Sequence, residues 1–148
     1  MARVINEQGL ALIQNAEGLR LEAYQDVRGI WTIGYGHTAG VIEGMQITPD
    51  QAEQFLKDDV LGAENAVNAG VGQAATSDNQ FSAMVSLCYN IGAGNFGSST
   101  VLREHVAGST GAAADAFLLW NKATIDGVLQ VVAGLTNRRN AERALYLT

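Results

Sequence analysis

Two acidic residues nine positions apart, Glu17 and Asp26, followed by the hydroxyl of Thr32, form the set of side chains best suited to acid–base chemistry in this chain. Splitting a glycosidic bond needs a proton for the departing oxygen and either a base for water or a nucleophile. Two carboxyl groups in different environments supply both. Spacing alone is weak support, because an acidic chain offers many carboxylate pairs and most such groups are solvated.

The elements expected around these residues give each carboxylate a distinct setting. Ile5, Leu10, Leu12, Ile13 and Ala16 fit one face of a helix over 4–16, with Gly18 as its stop. Glu17 then sits at the helix C-terminal end, beside Leu19 and Leu21, where the dipole disfavours an anion and the protonated form is easier to hold. Residues 22–38 are rich in aromatic and β-branched types with interspersed glycines, which predicts a hairpin or small twisted sheet. A reversal about Gly29 would set Asp26 opposite Thr32 as a cross-strand pair, with Asp26 ionised and orienting water, and Trp31, Ile33 and Tyr35 on the other face.

Thr48-Pro49-Asp50-Gln51 is a capping box with Pro at the first helical position, and the stripe Ala52, Leu56, Val60, Ala63 and Val67 extends it as one long helix to a stop at Gly70. Ser77 and Gln80 repeat the capping logic for a core-facing helix to about Ile91, stopped by Gly92 and Gly94. Shorter helices are predicted over 99–107 and 111–120, and a last amphipathic one over 135–145.

Composition narrows the function class. The 148 residues suit one domain, and the 17 glycines against one proline lack a strict repeat. With 15 acidic against nine basic residues, a broad cationic face for nucleic acid is excluded, and nothing draws the chain to an anionic polymer in general. The single Cys88 suits a buried apolar role in a reducing compartment and builds neither disulfide nor metal cluster. Arg3, Asn6, Glu7 and Gln8 interrupt the N-terminus, so residues 1–14 do not read as a signal peptide or membrane anchor.

The pattern Glu17-x8-Asp26-x5-Thr32, within EGLRLEAYQDVRGIWTIGYGHT, resembles the catalytic segment of the phage-type lysozymes, glycoside hydrolase family 24. ITPDQAEQFLKDDV resembles that family's helix after the sheet, QFSAMVSLCYNIGAGNFGSSTVLR its central helix and following turn, and WNKA with GLTNRRNAERALY its C-terminal end. The resemblance covers nearly the whole chain in order. It implies an α+β lysozyme-like fold in one catalytic domain, 1–148, with a small β-hairpin lobe over about 18–50, an inter-lobe helix over about 49–69, and a larger helical lobe over about 76–148 that includes the N-terminal helix.

The same resemblance implies hydrolysis of the β-1,4 bond between N-acetylmuramic acid and N-acetylglucosamine in peptidoglycan, by inversion, with Glu17, Asp26 and Thr32 catalytic. It places Tyr89 and Asn90 on the wall of a cleft, where an amide can bind an N-acetyl group. Tyr35 is a candidate sugar contact because an aromatic face suits carbohydrate, while the resemblance puts its segment on a structural hairpin. It pairs His37 structurally with Asp59. No cofactor or metal is implied. Peptidoglycan glycan strands are the expected partner, for a monomer made in the host cytoplasm and released to the wall by a separate holin-like protein, without stable membrane insertion. A lytic transglycosylase and a catalytically silent peptidoglycan-binding module are the alternatives, and an intact trio speaks against both.

Trp31 and Trp120 sit among periodic apolar neighbours and read as packing residues. Arg138, Arg139 and Glu142 read as ordinary ion pairs on a surface helix, with the sharper option that one arginine holds Glu17 or a substrate carboxylate. Two departures from the family pattern are the acidic balance and the stretch Thr124 to Val132, longer than its usual equivalent and able to reshape a cleft edge.

Overall fold

The computed structural model describes residues 2–148. The chain divides into two compact units: Ile13–Leu61, and a second formed by the N-terminal stretch up to Leu12 together with Gly62–Thr148.

Helix α1 (Glu7–Glu17) begins after Asn6, whose Oδ1 accepts from the Gly9 N–H at 3.0 Å, and ends at Gly18 in the left-handed region at φ +72. Glycine enters that region at little steric cost and closes the last turn, its N–H donating to the Gln14 carbonyl at 2.9 Å. Strands β1 (Arg20–Gln25) and β2 (Trp31–Gly34) are antiparallel, and residues 45–47 run alongside β1 through Ala23 N–H to Met45 O and Ile47 N–H to Leu21 O, both 2.9 Å. Helix α2 (Pro49–Asp59) carries the full predicted capping box at Thr48 and packs against β2. Ile33, Val41, Ile47 and Ala52 form the core of this unit, edged by Trp31, Tyr35 and Phe55.

The helix expected to run unbroken over 49–69 is two helices. It is interrupted at Val60, and α3 (Leu61–Val71) follows. The apolar stripe survives the break: Ala52, Leu56, Val60, Ala63 and Val67 are all buried. Gly62, a poor helix former next to the interruption, leaves the backbone free to reset there. Gly70 is not the stop; it lies inside α3, where a Cβ would come within 2.8 Å of Leu102, and the left-handed residue is Gly72 at φ +52.

In the second unit α4 (Asp78–Ile91) starts from the predicted capping box at Ser77 and ends at Gly92. It packs against α8 (Ala133–Tyr146). Between them lie α5 (Ala93–Gly97), α6 (Thr100–Val106), α7 (Thr110–Ala116) and a 3-10 turn over Phe117–Leu119. Phe81, Met84, Leu87, Phe96, Phe117 and Tyr146 fill the core, with Cys88 buried among them and Trp120 packed at its edge. Burial raises the Cys88 thiol to about 11, which keeps it protonated and unreactive. His105, also buried, spans from Thr76 Oγ1 at 2.8 Å to the Tyr146 hydroxyl at 2.6 Å.

The long stretch at 124–132 falls in an antiparallel hairpin: β3 (Lys122–Ile125) and β4 (Val128–Val131), turning on Asp126-Gly127 at φ +51 and +79. An Asp-Gly pair between apolar residues is a strong two-residue hairpin signal. Val128, Leu129 and Val131 are all well exposed.

Candidate active site

Glu17 is the last residue of α1 and is half-buried. Leu19 and Leu21, expected to make an apolar wall beside it, are exposed at 41% and 39%. The turn at Gly36 passes beside the carboxylate. Its Oε2 lies 3.0 Å from the position a Cβ on Gly36 would take, and Gly36 sits at φ +89, so only glycine lets the chain pass this close. The turn Gly34-Tyr35-Gly36 is closed by reciprocal backbone bonds between Ile33 and His37, at 2.8 and 2.9 Å. His37 is fixed to α2 in turn: its Nδ1 is 2.8 Å from Asp59 Oδ2, and its ring stacks on Phe55 with centroids 4.3 Å apart. The expected His37–Asp59 pair is therefore present, and it anchors the turn that meets Glu17.

Asp26 is placed by a tight reversal that differs from the expected one. The register pairs Tyr24 with Thr32 and Gln25 with Trp31, and Asp26 N–H donates to Ile30 O at 2.9 Å, so Asp26 faces Ile30 and not Thr32. The physical reason is the carboxylate itself: Oδ1 accepts from Arg28 N–H at 2.8 Å and Ile30 N–H at 3.0 Å, which draws the turn onto Arg28, while Gly29 takes the left-handed position at φ +80. Asp26 and Thr32 are still two-residue neighbours on one face, related diagonally across the strands. The Ile30 N–H is the main reason the Asp26 carboxyl titrates below its ordinary value; burial opposes it, and the Arg28 N–H and guanidinium add to it.

Thr32 is buried, and its hydroxyl donates to Ile30 O at 2.9 Å. That bond commits the proton, so Oγ1 is left as an acceptor. Arg28 Nη2 lies 3.4 Å from Asp26 Oδ2. Tyr35 is half-buried against the small core.

In the second unit, Tyr89 is half-buried and Asn90 exposed at the end of α4. Spacing had placed Arg138, Arg139 and Glu142 on a surface helix. They are buried, with Arg139 and Glu142 at 0% exposure. Arg139 Nε lies 2.8 Å from Glu142 Oε1, and Arg138 Nε 3.3 Å from Oε2, which also accepts from the Ser86 hydroxyl. Burial pushes the Glu142 carboxyl up, and Arg139 pulls it back; burial likewise lowers Arg139, against the pull of Glu142. Sequence spacing identified the pairing at three and four residues but carried no sign of its depth, because α8 presents this polar stripe to α4 and not to solvent. Among the described residues no cluster of His, Cys, Asp and Glu could hold a metal ion, and no helix is long and apolar enough to cross a membrane.

These elements form a lysozyme-like α+β fold. The family model "Phage lysozyme" matches residues 14–142. The endolysin of Salmonella phage P22 is 42% identical over 149 residues, covering 97% of this chain and 98% of its own. The muramidase domain of SpmX from Asticaccaulis excentricus superposes with a TM-score of 0.92 at 41% identity, covering 99% of each chain, and a P22 lysozyme mutant with 0.85 at 42%, covering all of both. The chain belongs to the phage lysozyme family.

Proposed function

We propose that Glu17, Asp26 and Thr32 carry the hydrolysis of the peptidoglycan glycan at the bond between N-acetylmuramic acid and N-acetylglucosamine. The chain is a glycoside hydrolase of the lysozyme type and acts as an endolysin on the bacterial wall. Glu17 is the proton donor to the departing oxygen. Asp26 Oδ2 and Thr32 Oγ1 accept hydrogen bonds from the two hydrogens of one water; as its oxygen attacks the anomeric carbon, Asp26 takes one proton and the other hydrogen stays on the new hydroxyl. Attack from the face opposite the leaving group inverts the centre, which requires roughly 6.5–9.5 Å between the carboxyl groups.

The observation that carries this reading is the placement of the three side chains in one compact unit: Asp26 is held by N–H donors that favour its anion, with Thr32 diagonal to it on the same face, and Glu17 closes α1 beside the Gly34–Gly36 turn. Turbidity loss of purified peptidoglycan with wild type and Glu17→Gln tests it; equal rates would remove Glu17 from the mechanism. Mass spectrometry of the digest separates hydrolysis, which adds one water per cut, from transglycosylation, which leaves an anhydro end. Tyr89, Asn90 and Tyr35 are the proposed sugar contacts. Action as a monomer, synthesis in the host cytoplasm and release by a separate membrane-permeabilising protein belong to the same proposal. Sedimentation reads the first, and host lysis with and without such a protein reads the last.

A further inference from the structure

Asn90 is exposed, but what holds it is inside the protein. Arg139 Nη2 donates to Asn90 Oδ1 at 2.8 Å. A guanidinium offers five donors and no acceptor, so the amide carbonyl must face Arg139 and the NH2 must face away. Arg139 has no freedom to release it. Its Nε is against Glu142 Oε1 at 2.8 Å, its Nη1 reaches the Trp120 carbonyl at 3.5 Å, and the side chain is fully buried. Glu142 is fixed in turn by Ser86 and Arg138.

We infer that Arg139 is a positioning residue that sets the polarity of Asn90, so that the site offers the glycan a hydrogen-bond donor and selects an acetamido carbonyl over an amine. An unrestrained asparagine would present either end and discriminate weakly. This inference rests on the reading that Asn90 touches the glycan. It adds which atom of Asn90 does so, and why.

The test uses peptidoglycan glycan in three forms: native, chemically de-N-acetylated, and re-acetylated as a control, with reducing-end release giving kcat and KM. Wild type is expected to lose about tenfold in kcat/KM on the de-N-acetylated glycan, mostly through KM, and to recover on re-acetylation. Asn90→Asp keeps an oxygen for Arg139 but offers the glycan only acceptors. It is expected to fold with an unchanged Tm and to lose or reverse that preference, since an amine can donate to it. Arg139→Lys keeps the charge without the planar fork and is expected to weaken the preference where it folds; Asn90→Asp stands as the test where it does not. Wild-type preference retained in Asn90→Asp, or in a folded Arg139→Lys, overturns the inference, as does a wild type that cleaves both glycans equally well. A wild type that cleaves neither the native nor the re-acetylated glycan instead removes the enzymatic reading, and this inference with it.

Discussion

Glu17 Oε2 rests 3.0 Å from the point where a Cβ on Gly36 would stand, which makes the position of the proposed proton donor depend on an absent side chain. Gly36→Ala must therefore move a carboxylate by a few tenths of an ångström and hold alanine at φ +89. The left-handed backbone alone costs about 1–2 kcal/mol. The expected result is a lower Tm and at least a tenfold drop in activity, because a misplaced donor loses rate out of proportion to its displacement. Thermal melts and turbidity assays on the same preparation read the two effects separately.

Asp59→Asn should weaken the His37 contact that anchors this turn. A loss of about 1 kcal/mol is expected from a hydrogen bond of this kind, together with a fall in kcat larger than so small a destabilisation implies. Unchanged kcat at temperatures well below Tm would show that the turn is positioned without His37.

Asp26 gives a pH prediction with a definite sign. Its carboxyl is depressed in the folded protein, chiefly by the Ile30 N–H. A depressed carboxylate contributes stability that is present above the unfolded value, about 3.9, and is lost as pH falls through the folded value. The acid limb of activity due to Asp26 therefore lies below the ordinary carboxylate range. Because backbone donors lead, Arg28→Ala should raise the Asp26 titration but leave it depressed, as carboxyl NMR shifts against pH would record. Asp26→Asn should remove turnover at every pH.

Glu142→Ala strips the carboxylate from two buried guanidinium groups. Breaking a buried ion pair from one side costs about 3–5 kcal/mol, so this variant should be among the most destabilised in the chain by urea or thermal unfolding. A loss below about 1 kcal/mol would mean that water reaches Arg138 and Arg139.

Local signals carried most of the fold. Both capping boxes, at Thr48 and Ser77, lie where their residue types put them, since the motif is satisfied within four residues. The family pattern supplied the three residues proposed for catalysis. What spacing could not supply was set by contacts distant in sequence or by a one-residue choice of register. Asp26 missed Thr32 because its own carboxylate tightens the turn. Gly70 looked like a helix stop because its need for space comes from Leu102, and Arg139 looked exposed because the partner that buries it belongs to α4. The Asp126-Gly127 turn is likewise a local signal, an Asp-Gly pair between apolar residues.

That hairpin leaves the protein with a natural grafting point. Its tip is Asp126-Gly127, and the β4 residues that lead away from it show their side chains to water, so the core described above draws little from it. A flexible insert between these two residues lengthens a surface loop, at about 0.6 kcal/mol per doubling of its length, so a foreign cargo such as a wall-binding peptide can be carried there while cutting continues.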